Sequence, residues 1–197
     1  MTASLYGPII TADDVETAVK TTLRAWCTTY TDEVARQKGV DLPPINYYGG
    51  TEIDLSNVNS FPALAVVCPG VVGEPLRHGD GTQDATWAVG VGVIVAETVA
   101  YKALTLAKLY GAAVRALLVQ QGSLGGFAVQ TFWTDEESAS EGFELDRWMA
   151  SCSLQFEVKV AAVVNRFGGP TSPPANPTVP LTGPAVASTS FTLGRLA

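Results

Sequence analysis

From Thr86 to Ala96 the chain alternates without a break. Trp87, Val89, Val91, Val93 and Val95 fall on one face, and Ala88, Gly90, Gly92, Ile94 and Ala96 fall on the other. Successive side chains of a strand point to opposite sides, so this strand has one large face and one small face. The large face requires a core. Glycine weakens a strand unless another backbone comes close. The small face is therefore expected to pack tightly beneath a helix or against a neighbouring chain.

Two helical patterns flank this strand at a distance. Val15, Val19, Leu23, Trp26, Tyr30 and Val34 recur at steps of three and four, which sets them on one helical face. Thr11 with Asp14 makes a capping box, acidic residues suit the first turn, and Gly39 stops the helix. The pattern predicts a helix over 12–38. A second helix is predicted over 98–121, capped by Thr98 and closed by Gly122, with Val99, Leu106, Tyr110, Ala113, Val114 and Leu117 as its stripe.

The other strands read less evenly. Residues 40–60 form a connector with a short edge strand over 45–48. Ala63 to Cys68 is a short apolar strand, ended by Pro69-Gly70, and Glu74 to Asp84 is a polar loop. Phe127 to Thr134 is a strand, Asp135 to Glu144 an acidic loop, and Arg147 to Val164 a long strand. In that last strand Trp148, Ala150, Cys152, Leu154, Phe156, Val158 and Val160 face inward. The last two strands are expected to form a hairpin. From residue 165 the character changes: six of the 12 prolines lie at 170, 173, 174, 177, 180 and 184, and the only charges are Arg166 and Arg195. Such a segment builds no core of its own. The reading is an α+β fold: a mostly antiparallel sheet of about four to five strands packed against two helices. Residues 1–164 form a single domain and 165–197 a flexible arm.

The net charge of −7 and the absence of any Lys/Arg cluster argue against sequence-specific nucleic-acid binding. Charged residues make up only 16% of the chain. Either part of the surface is buried against partners, or the surface is plainly rich in Thr, Ser, Gly and Ala. Cys27, Cys68 and Cys152 include no C-x-x-C pair, so a zinc site is not expected, and the odd count fits a reducing cytoplasm. The apolar run Ala85 to Ala96 is too short to span a bilayer, and no membrane partner is expected.

Candidate chemistry is sparse. His78 is the only histidine, in a turn-like Arg77-His78-Gly79-Asp80-Gly81, so any Ser/His/Asp triad must use it. An exposed loop histidine is the plainer reading. Asp80 and Asp84 lack the further ligands of a calcium loop. Gly90-Val91-Gly92 lies inside a strand and is no dinucleotide fingerprint. Cys27 and Cys152 read as buried structural thiols. The main charge cluster is Asp135, Glu136, Glu137, Glu141 and Glu144, with Asp146 close by. It is either a solvated loop or a functional electronegative channel or interface surface. No catalytic residue, cofactor or metal is expected, and the chain reads as a structural protein rather than an enzyme.

The element order is helix, strand, long strand, helix, strand, long strand, tail. Three stretches carry it: Asp13-Asp14-Val15-Glu16-Thr17-Ala18-Val19, Phe61-Pro62-Ala63-Leu64-Ala65-Val66, and Val91-Gly92-Val93-Ile94-Val95-Ala96-Glu97 running on to Ala103-Leu104-Thr105-Leu106-Ala107. Over residues 10–164 this resembles the tail terminator (tail completion) family of long-tailed bacteriophages. The resemblance implies a homo-oligomeric ring, often six-membered, that caps the tail tube and joins the tail to the head. Its partners would be further copies of itself, the tail tube protein and the head–tail connector protein. Its place would be the virion tail or neck, after assembly in the host cytoplasm. A head-completion or other neck protein, or a small ligand-binding or regulatory α+β domain, is the alternative.

Overall fold

The computed structural model describes residues 9–50, 60–144 and 146–165. Its elements run α1 (Ala12–Lys38), β1 (Tyr47–Gly49), β2 (Ala63–Arg77), β3 (Thr82–Glu97), α2 (Ala100–Gln120), a 3-10 turn (Leu124–Gly126), β4 (Gln130–Glu144) and β5 (Arg147–Asn165). The strands form one sheet in the order β1-β2-β3-β5-β4. Only the β1–β2 pair is parallel. The α+β class with five strands and two helices is as the patterns predict. Most of the expected C-terminal arm, and residues 51–59 of the connector, lie outside the described residues.

The first helix follows its sequence signals. The Thr11 N–H donates to Asp14 Oδ2 at 2.8 Å, while Thr11 Oγ1 accepts from the Asp14 N–H at 3.3 Å. Gly39 ends the helix with φ 65°, a left-handed conformation that costs glycine little. The buried stripe differs from expectation at its middle. Val15, Val19, Leu23 and Cys27 are buried, whereas Trp26 is 45% exposed. Cys27 continues the i, i+4 row from Leu23, and Trp26 lies about a hundred degrees away on the helix.

The second helix starts at Ala100. Its cap is Val99 rather than Thr98, and no side chain supplies a capping bond. Ala103, Ala107, Tyr110, Gly111, Val114 and Leu117 sit against the sheet. By length and hydropathy α2 could cross a membrane, but here it is the core helix. The Tyr110 hydroxyl donates to the Pro43 carbonyl and ties the connector to the core. Tyr30 OH donates to Gln120 Oε1 at 2.9 Å, joining the two helices.

Both helices share one core with one face of the sheet. That face supplies Leu64, Val66 and Cys68 from β2, Val89, Val91 and Val93 from β3, and Cys152, Leu154, Phe156 and Val158 from β5. Fully burying each such valine or leucine contributes about 1.5–3 kcal/mol. Among the described residues the buried Trp87 Nε1 has no hydrogen-bond partner, which costs stability. Trp148, expected inside, is 37% exposed and meets Phe143 edge-on at 5.4 Å.

Two boundaries move. β2 does not end at Pro69-Gly70 but continues to Arg77. Its pairing with β3 shifts between Val67 and Gly70 and again between Val72 and Leu76. The bulges absorb both prolines, which β2 tolerates because β1 pairs only with Ala63–Ala65 and leaves the rest of that side of the strand open. The expected polar loop 74–84 is therefore a tight turn at the tip of a long hairpin.

The small-residue face of β3 is where expectation and structure differ most usefully. Neither described helix covers it. Cross-strand neighbours point to the same face, so the register Ala65↔Gly92↔Ser153 and Val67↔Gly90↔Gln155 defines rows on that second face. Ala65, Val67, Gly90, Gly92, Ser153 and Gln155 line a shallow hollow of about 340 Å³ there.

Candidate functional site

The acidic run is a strand, not a loop. Asp135 to Glu144 belong to β4, which pairs along its length with β5. Backbone bonding to a strongly alternating partner outweighs the low strand preference of Asp and Glu. β4 is an edge strand, and charges on an edge discourage pairing with stray strands.

The register splits the cluster in two. Glu136 pairs with Leu154 and Ser138 with Cys152, so these side chains lie on the helix-covered face. Asp135 pairs with Gln155 and Glu137 with Ser153, which sets both carboxylates on the uncovered face. Glu141 sits at a second register shift, where its carboxylate accepts from Ser151 Oγ. Glu144 closes the strand beside the Asp146 turn.

Glu136 is engaged. Its Oε2 accepts from Arg115 Nη1 at 2.5 Å, and its Oε1 lies 3.9 Å from Cys152 Sγ. The Arg115 guanidinium also lies over the Trp133 ring at 4.8 Å. The indole N–H of Trp133 donates to the Asp135 carbonyl at 2.9 Å. Arg115 thus clamps α2 to the edge strand through one carboxylate and one aromatic face. This clamp was not read from the sequence: its members lie 21 residues apart and no periodicity links them. The available signal was weak: Arg115 is one of three basic residues in a largely apolar helix, with Lys102 and Lys108.

The remaining candidates are placed as follows. His78 stands at the hairpin turn with Nε2 3.0 Å from Asp84 Oδ2. Asp84 Oδ1 also accepts from the Ala162 N–H at 3.0 Å, which with His78 holds its carboxyl below the ordinary aspartate range. Asp80 Oδ1 accepts from the Thr82 N–H and hydroxyl at 2.9 and 2.7 Å, and these bonds lower its pKa. Both carboxylates therefore serve the turn. Among the described residues no group of three or more His, Cys, Asp or Glu could hold a metal ion. Cys27, Cys68 and Cys152 are free and buried. Burial pushes the Cys27 thiol up to about 11 and raises the other two, which keeps all three protonated at neutral pH.

Exposed apolar side chains gather at the two ends of the sheet. Phe143 and Trp148 mark the β4–β5 tip, with Tyr101 at the start of α2. Val71, Val72 and Leu76 mark the β2–β3 hairpin. Glu97 pairs with Trp148 and Thr82 with Asn165, so these tips lie at opposite ends.

No protein-family model matches the chain, and no curated protein matches it. Among solved structures it is similar to a chain from the virion of a native gene transfer agent (GTA) particle. The two are 17% identical with a TM-score of 0.43, over 74% of this chain and 93% of that one.

Proposed function

We propose that this chain is a structural virion subunit of phage type, a ring-forming tail terminator that caps the tail tube and meets the head–tail connector. The observation that carries the reading is the one-sided sheet. Its second face is built of small side chains, has no described helix over it, and carries Asp135, Glu137 and Glu157 with Lys159 as the opposing charge. A shallow, mainly acidic face of this kind suits a channel wall along which DNA moves without sticking, because like charges repel. Apolar tips at opposite ends suit head-to-tail contacts, the kind that close into rings. A structural rather than catalytic role belongs to the same reading.

Purified tail tube protein polymerised with this chain tests it. Electron microscopy is expected to show shortened tubes, each bearing a ring of this chain at one end. Tubes of unchanged length with bare ends would contradict the terminator role.

A further inference from the structure

A groove runs along α1 where it passes the end of α2 and the 3-10 turn. Near the start of the helix it is a trough of about 570 Å³ floored by small residues such as Ala18, Thr21 and Ala25, with Phe127 in its wall. It continues past Trp26 into a second trough of about 530 Å³ bordered by Tyr30, Asp32, Glu33 and Arg36. Trp26 lines both parts, and its indole N–H makes no hydrogen bond among the described residues. The groove therefore offers aromatic walls, the Trp26 indole N–H at its centre and a mainly acidic margin.

We propose that the proline-rich C-terminal segment of this same chain, centred on Pro170–Pro177, docks in this groove with Trp26 at its middle. Position is the first argument. The Ile10 N–H donates to the Val163 carbonyl at 3.2 Å, so the start of α1 lies against the end of β5. The segment that follows Asn165 begins beside the head of the groove. Reach is the second. From Asp14 to Trp26 the helix rises about 18 Å at ~1.5 Å per residue. A polyproline II chain covers that in about six residues at ~3.1 Å each. The eight residues between Asn165 and Pro174 are sufficient to bring the Pro173-Pro174 pair to Trp26.

Chemistry is the third argument. Pro-rich segments dock in aromatic-lined grooves because their extended form is already set and their carbonyls accept from an indole N–H. Residues before proline share that extended bias, and Thr171-Ser172-Pro173-Pro174-Ala175-Asn176-Pro177 is dense in both kinds. The stretch from Asn165 to Pro177 carries one arginine, Arg166, and no acid, against Asp14, Asp32 and Glu33 with Arg36 along the groove. The docking is independent of any ring.

Hydroxyl-radical footprinting of the full-length protein tests this, with Trp148 as the reference site. Replacing Pro173, Pro174 and Pro177 together with serine leaves every described contact in place. It is expected to raise the oxidation rate of Trp26 severalfold and leave that of Trp148 unchanged. In the unaltered protein the protection of Trp26 is expected to persist on dilution, as an intramolecular contact must. An unchanged Trp26 rate in the variant would overturn the proposal. Protection that disappears on dilution would also overturn it, showing a second copy over the groove.

Discussion

Gly111→Ala is expected to lose about 1–3 kcal/mol of stability and roughly 3–10 °C in Tm, although alanine is the better helix former. On an exposed helix face the same change would gain about 1 kcal/mol. Here α2 lies so close to β5 that a Cβ on Gly111 would stand 2.3 Å from Cys152 Sγ and 3.3 Å from Cys152 Cβ. The strand is held by partners on both sides, so the helix must lift or the thiol must turn. Lifting α2 also pulls Arg115 from Glu136. Urea melts of Gly111→Ala, Cys152→Ala and the pair would measure the coupling. Removing Sγ is expected to restore part of the loss, so the double variant should be more stable than the sum of the single losses. Simple additivity would show that the close approach is not what matters.

Reversing the outward carboxylates of β4 is the second large effect. Asp135→Lys, Glu137→Lys and Glu141→Lys together are expected to leave the monomer melting nearly as before, because these side chains are exposed and hold no core contact. If the assembled protein surrounds DNA, many new cations then converge on phosphates. The assembly is expected to retain DNA at low salt and release it as salt rises, with a slope that grows with the number of lysines engaged. Glu136 must be left alone in this experiment. Glu136→Lys would set two cations against each other at the clamp with Arg115, and melting should fall where it does not for the triple change. Retention equal to that of the unaltered protein at every salt concentration would place β4 away from the DNA path.

What the sequence made legible is what local pattern determines. The capping box, the left-handed glycine and the helical spacing give α1 its bounds residue by residue. Strict alternation gives the two faces of β3 and most of β5. Where pattern failed, a long-range contact decided. β4 reads as a solvated acidic stretch because nothing in Asp135-Glu136-Glu137 reports that β5 supplies its backbone partners. β2 runs beyond Pro69 because bulges accommodate what a central strand would reject. Trp26 looked like core by type and spacing, yet the i, i+4 row turns inward one residue later, at Cys27. Of the candidate site, the acidic residues were visible as a cluster. Their division between Glu136, half-buried against Arg115, and Asp135 and Glu137 on the uncovered face needed the register.

Native mass spectrometry of the full-length protein across a concentration range, alone and with the tail tube protein, tests the central claim most directly. The account predicts a closed oligomer whose mass is a fixed multiple of the 20.7 kDa chain, with one copy number that does not grow with concentration. A chain that stays monomeric at every concentration, with and without the tube protein, would contradict it.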